Sequence, residues 1–292
     1  MSMLSRVLRI SGVFALLIFT AACGALTVDE EKSLGRQVQR EVRKEFTLMR
    51  DPVVVNYVRG LGAELVRSSR PTPFDVRFYV VEDENINAFA IPGGAIYVHT
   101  GLIEAVEHAD ELAGVVAHEI GHVTARHTAQ LARRQRNTGF VAQVVGVLVA
   151  ILTGNQYAAN AGDLAAQIAA QAYVTTYTRE YEREADVLAI EALSKSGWNP
   201  EGMVRMFETL KAEAGGGGGM PQFLASHPAT DERIQVVTEM IRVASIPADA
   251  RMDDRGKLQI IQRRLELIVG TESDSDPLDQ DDEDLEDEGG AP

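Results

Sequence analysis

Apolar residues recur at three- and four-residue spacing from Leu112 through Val115, Val116 and Ile120 to Val123. That is the period of a helix burying one face. Asp110 fits the N-cap and Glu111 the first turn, so the pattern predicts a helix over about 110–134. Charged amphipathic helices are predicted upstream, at Val28–Arg43 and Pro52–Arg67. Arg70-Pro71-Thr72-Pro73 then breaks the helical period. Phe74, Val76, Phe78 and Val80 alternate, which predicts a strand over 74–81. Asn85–Ala90, the turn Pro92-Gly93-Gly94 and Ala95–His99 read as strand, tight turn, strand. Thr100-Gly101 ends the sheet, and Leu102–Val106 forms a short helix. The chain is therefore expected to be α+β and mainly helical, with a small sheet beside the 110–134 helix.

Downstream, Asn155–Ala166 is small and polar and reads as a loop. Ala169–Thr178 leads into a helix running to Lys195, stopped by Gly197, and Asn199-Pro200 opens the next one. Five glycines at 215–219 cannot hold regular structure and predict a hinge or flap. Thr230 can cap a helix over Asp231–Val243, whose first turn carries Asp231 and Glu232. Lys257–Val269 is a last amphipathic helix. Gly139–Leu152 is an apolar run of 14 residues, short for a bilayer span. It reads as a buried helix, or as a segment that covers a site or touches a membrane.

The two ends look different from the rest. Arg6 and Arg9, the apolar stretch Val13–Thr20, and Ala21-Ala22-Cys23 form a signal-peptide pattern over residues 1–22. The cysteine at its end resembles a bacterial lipobox, which makes Cys23 the candidate lipidation site. The other reading is a plain secretory signal. Cys23 is the chain's only cysteine, so no disulfide forms within the chain. At the other end, residues 271–292 form an acidic tail too polar to bury a core and expected to be disordered. Glu272 to Glu288 hold 11 acidic residues and no basic one, so the net charge of −15 falls to −4 without them. The body of the chain is thus near neutral, with no basic face for nucleic acid.

Within that body His118-Glu119-Ile120-Gly121-His122 places two imidazoles four residues apart. On a helix both lie on one side, within reach of one metal ion, with Glu119 about 100° further round. The pattern supplies two neutral nitrogen ligands and a carboxylate base, but a hydrolytic zinc site needs a third ligand. Glu182 and Asp186 share a helical face and fit as ligand and as hydrogen-bond acceptor for a ligating histidine. Glu184 is 200° from Glu182 and off that face. His127, nine residues from His118, is half a turn out of phase on a continuous helix and reads as a structural or surface histidine. His227, just past the glycine run, could stabilise an oxyanion, fill the open metal position, or simply cap a helix.

In this order, the HExxH segment with Arg126-His127, the stretch Asn87–Gly94 with Ile96-Tyr97-Val98 and Thr100-Gly101-Leu102, Thr178–Asp186, and Ser226-His227-Pro228 with Asp231-Glu232-Arg233 resemble one family. It is the HExxH zinc metallopeptidase family of HtpX, BepA/LoiP and CaaX prenyl protease type, and the likeness is greatest to its periplasmic lipoprotein members. The resemblance covers about residues 30–245. It implies a zincin-like domain, here taken as 23–270, holding one Zn2+ through His118, His122 and Glu182. It makes Glu119 the base, Asp186 the residue orienting a ligand, and His227 an active-site residue. By analogy Asn87, Ala88 and Phe89, or else Ile96–Val98, hold substrate as an added strand. The implied activity is hydrolysis of unfolded or misassembled envelope proteins by a lipid-anchored, periplasm-facing enzyme, at the outer rather than the inner membrane. The contrasting reading is a chaperone-like or scaffold lipoprotein whose zinc is structural.

Overall fold

A computed structural model describes residues 26–134, 164–215, 221–244 and 246–273. Cys23 and the signal pattern, Gly139–Leu152, glycines 216–219 and the acidic tail beyond 273 lie outside these. The described elements are α1 (Val28–Glu45), α2 (Pro52–Ser68), β1 (Arg77–Val81), β2 (Ala88–Ile91), β3 (Ala95–His99), α3 (Thr100–Ala105) and α4 (Ala109–Thr124). They continue with α5 (His127–Arg134), α6 (Leu164–Ser196), α7 (Glu201–Gly215), α8 (Gln222–Ser226), α9 (Asp231–Val243) and α10 (Lys257–Ser273). The architecture is mainly helical with one three-stranded sheet, as the alternating periods predict.

Local chemistry sets several of these boundaries. Thr27 and Glu30 form a reciprocal capping box at the start of α1. The Asp51 carboxylate accepts the Val53 and Val54 N–H groups at the start of α2, where Pro52 needs no partner. Gly93 and Gly94 take φ of +81° and +94° in the β2–β3 turn, a region that side chains disfavour. The strand order is β1-β3-β2, with β1 parallel and β2 antiparallel to β3. On one face Phe78, Val80, Ala88, Ile96 and Val98 join the main core with α2 and α4. On the other, Val81, Phe89, Ile91 and Tyr97 pack on Leu34, Val38 and Val42 of α1. Covered on both sides, β3 is buried at every position.

Helix α4 is the centre of the molecule, packed against α2, α6, α7 and β2. Fourteen of its 16 residues are buried, far more than a one-faced apolar stripe suggests. Small residues make this possible. A Cβ on Gly121 would lie 2.9 Å from the Ala185 carbonyl oxygen and 3.0 Å from its Cα, so only glycine lets α4 lie this close on α6.

Several expected boundaries need correction. Asp110 is not the N-cap of α4; His108 is, and Asp110 is fully buried against Arg205 of α7. The helix does not run to 134. It stops at Thr124, Arg126 takes φ +56°, and α5 starts afresh at His127. Arg126 is held there because its Nε donates to Glu31 Oε2 at 2.8 Å and its Nη2 to the Leu26 carbonyl at 2.7 Å. Strand β1 begins at Arg77 rather than 74, because Arg77 N–H bonds the Gly94 carbonyl where the parallel partner strand itself begins. The next strand is Ala88–Ile91 rather than Asn85–Ala90, since Asn85 is tied into a turn on Asp83. Residues 164–166 open α6 instead of closing a loop, Gly215 closes α7, and helix α10 takes in 271–273.

Gly121→Ala is expected to destabilise the fold. The backbone overlap with Ala185 outweighs the gain of up to about 1 kcal/mol in helix propensity. The net cost is about 1–3 kcal/mol, read as a fall in Tm of several degrees. An unchanged Tm would mean that the α4–α6 contact relaxes freely.

Candidate metal centre

Helix α4 presents His118 and His122 toward α6, which brings Glu182 against them. His118 Nε2 and His122 Nε2 lie 3.0 Å apart. Glu182 reaches them at 3.2 and 3.3 Å. His227, at the C-cap of α8, adds its Nδ1 at 2.9 Å from Glu182 Oε1 and 3.3 Å from His118 Nε2. These four residues offer ligand atoms all within 4.8 Å of one another. A tetrahedral ion with bonds of about 2.0–2.1 Å needs ligand separations of about 3.3–3.4 Å. With separations from 2.9 Å up to 4.8 Å, the residues fit a zinc-like ion after small side-chain adjustments. Buried ring nitrogens converging at 3.0 Å also make little sense as a purely hydrogen-bonded core.

Each histidine of the HExxH segment is oriented from behind. His118 Nδ1 lies 3.0 Å from Asp186 Oδ1, so its N–H donates there and leaves Nε2 bare for an ion. His122 Nδ1 lies 2.9 Å from His127 Nδ1, and His127 Nε2 is 3.3 Å from Glu184 Oε2. With Nε2 of His122 facing the ligand cluster, its Nδ1–H donates to His127, and His127 Nε2–H donates to Glu184. Four of the chain's six histidines thus gather here.

The proton balance is that of a site built for a cation. Burial works against charge on His118, but the Glu182 and Asp186 carboxylates more than offset it and hold the group at about 9. Burial takes His122 down to about 4. Burial also opposes charge on Glu182, yet the surrounding histidines hold it well below the usual carboxylate range. Ligation needs both histidines neutral, so an ion entering the site displaces the His118 proton.

Glu119 stands beside this cluster. It is buried, its Oε1 lies 3.4 Å from His227 Nε2, and the Ala90 N–H donates to its carboxylate. Burial pushes its affinity for a proton up, as a general base requires.

The strand beside the site is β2. Asn87 accepts the His99 N–H, so Asn87, Phe89 and Ile91 turn their backbone groups toward β3. Ala88 and Ala90 therefore face the other edge, where Ala90 meets Glu119. The alternative Ile96–Val98 is excluded as an edge, because β3 is the central strand, paired on both sides. The Asn87 side chain is occupied with Gln222 at 3.1 Å, and Phe89 packs under α1.

Two residues escaped the sequence reading. His127 was placed out of phase on the assumption of a continuous helix, and the left-handed turn at Arg126 removes that assumption. Arg233 is 7 % exposed and pairs with both Asp186 and Glu182. A signal existed: Arg233, Val237 and Ile241 are the buried positions of α9, so a cation stands in phase with its apolar stripe.

An HExxH helix lying on a second helix that brings a glutamate to its histidines, beside a small sheet, defines a metallopeptidase. Residues 54–241 match Peptidase family M48, and the chain belongs to that family. It is 33% identical over 219 residues to the beta-barrel assembly-enhancing protease of Yersinia pestis, covering 74% of this chain and 45% of that protein. To the protein of the same name in Escherichia coli (strain K12) it is 30% identical over 219 residues, covering 74% and 44%. To the metalloprotease YcaL of that strain it is 33% identical over 171 residues, covering 58% and 63%. The chain spans a little under half the length of the assembly-enhancing proteases it matches.

His127→Phe keeps the ring's volume and removes the acceptor for His122 Nδ1–H. Zinc affinity is expected to fall about 10–100-fold, measured by competition with a chromophoric chelator. Wild-type affinity would show that His122 needs no such partner.

Proposed function

We propose that this chain is a zinc-dependent endopeptidase that cleaves unfolded or misassembled proteins of the bacterial cell envelope. The observation that carries the activity is the convergence of His118, His122 and Glu182 beside the buried carboxylate of Glu119. The envelope address rests on the signal-peptide pattern ending at Cys23 and on the names of the assembly-enhancing relatives. Lipid at Cys23 would tether the enzyme, facing the periplasm and at the outer membrane. Among the described residues no helix is long and apolar enough to cross a membrane.

In this reading His118, His122 and Glu182 hold one Zn2+, which when bound supplies the Lewis acidity that activates water and polarises a carbonyl. Glu119 takes the proton of the attacking water and hands it to the leaving amine. Asp186 and His127 fix the ring orientations of the two ligating histidines. The outer edge of β2, at Ala88 and Ala90, receives an extended peptide through main-chain hydrogen bonds once Ala88 is uncovered and the Ala90 N–H leaves Glu119. Such bonds read no side chain and suit unfolded substrates of varied sequence.

His227 stands where a fourth ligand would. Its Nδ1 is among the ligand atoms and its Nε2 reaches Glu119, so it blocks both the open position and the base. This favours a self-inhibiting role over oxyanion stabilisation. The His227 loop must then swing away for substrate to enter.

Cleavage of a denatured protein by the zinc-loaded chain is expected to fall at least 10²–10⁴-fold in Glu119→Gln at equal zinc content. Equal cleavage by the two would end the peptidase reading. With His227→Ala, turnover is expected to rise. A fall would return His227 to the oxyanion role, and no change would remove it from the active site altogether.

A further inference from the structure

We infer that Arg233 is a positioning residue of the metal centre: its guanidinium fixes how Glu182 and Asp186 face the ion, and ties both to the His227–Pro228 turn. This rests on the metal-site reading above. The Arg233 Nε donates to Asp186 Oδ2 at 2.8 Å and its Nη2 to Asp186 Oδ1 at 2.7 Å, a two-point clasp. The third nitrogen, Nη1, lies 2.8 Å from Glu182 Oε2 and 3.3 Å from the Pro228 carbonyl oxygen. The guanidinium rests on the Phe207 ring, its centre 4.7 Å from the ring centroid, so it cannot tilt without losing that contact.

The division of oxygens gives the arrangement its consequence. Asp186 Oδ1 accepts from both Arg233 and His118, so the clasp on Asp186 sets the plane of a ligating imidazole. Glu182 Oε2 is held by Arg233 at 2.8 Å and also faces His118 Nε2 at 3.2 Å, while Oε1 lies 3.3 Å from His122 Nε2. Arg233 therefore fixes the plane of the carboxylate that faces both histidines. The same nitrogen that holds Glu182 also reaches the backbone of the turn carrying His227. Movement of that turn is thus coupled to the glutamate ligand. Lysine, with one ammonium, cannot span two carboxylates and a carbonyl in this fork.

The test is zinc affinity, by chelator competition, for wild type, Arg233→Lys, Asp186→Asn and the double variant. Thermal melts of the metal-free proteins establish that each is folded. Arg233→Lys is expected to bind zinc about 10–100-fold more weakly. The double variant should be little worse than Asp186→Asn alone, since Arg233 acts largely through Asp186. Wild-type affinity in folded Arg233→Lys, or losses that simply add, would overturn the assignment. If wild type itself binds no zinc, the metallopeptidase reading falls first, and this inference with it. Should Arg233→Lys not fold, a crystal structure of the zinc-loaded wild type decides. Arg233 still bonded to both Asp186 and Glu182 beside the bound ion upholds the inference; an Arg233 displaced from either carboxylate ends it.

Discussion

The structure depends on a close helix crossing. Gly121, the glycine inside the HExxH segment, lets α4 rest on the Ala185 backbone of α6. With no Cβ between the two helices, the imidazoles of one reach the carboxylates of the other directly. The residues in contact are the ones flanking the chemistry: Gly121 lies between His118 and His122, and Ala185 between Glu182 and Asp186. Packing and metal site are therefore one feature.

That crossing buries charge that needs compensation. Glu119, Glu182, Asp186 and Arg233 are each under one-tenth exposed. Unpaired, any of them would cost several kcal/mol. The ion pairs at the surface, such as Arg70–Glu191 and Lys44–Glu41, are screened by water and contribute little. Buried charges of this kind are retained for what they do. Once the His118 proton is displaced, Arg233 is the one cation facing Glu119, Glu182 and Asp186, an arrangement that complements a divalent ion. Around it the fold supplies a neutral, close-packed frame: α2, α3, α7 and α10 share the main core with α4, while α1 seals the far face of the sheet.

The left-handed turn at Arg126 shows how remote contacts shape the site. A non-glycine residue at positive φ costs about 1–2 kcal/mol. Two hydrogen bonds, one to the buried Glu31 of α1 and one to the Leu26 carbonyl just ahead of that helix, offset it. The turn redirects the chain so that the His127 ring comes back onto His122. The N-terminal helix thus stabilises the conformation behind His122, a candidate metal ligand, without touching the His118–His122–Glu182 cluster.

Much of this was legible in the sequence. Periodicity marked the helices and the strands, because burial on one face leaves a trace every 3.6 or every two residues. HExxH spacing announced two ligands and a base, because i and i+4 share a helical face whatever the fold. Glu182 and Asp186 followed from the same rule applied to a second helix. What the sequence could not contain was whatever depends on two segments meeting. The break at Arg126 is set by α1, a hundred residues back along the chain. The edge position of β2 comes from β1 pairing across β3, a choice that local alternation does not encode. Asp110 looked like a cap because caps are polar and local, and was instead a buried partner of a residue on α7. The sequence by itself determined which residues could bind and activate. Only tertiary structure decided which of their atoms face one another, because those distances are fixed by helix packing and not by spacing along the chain.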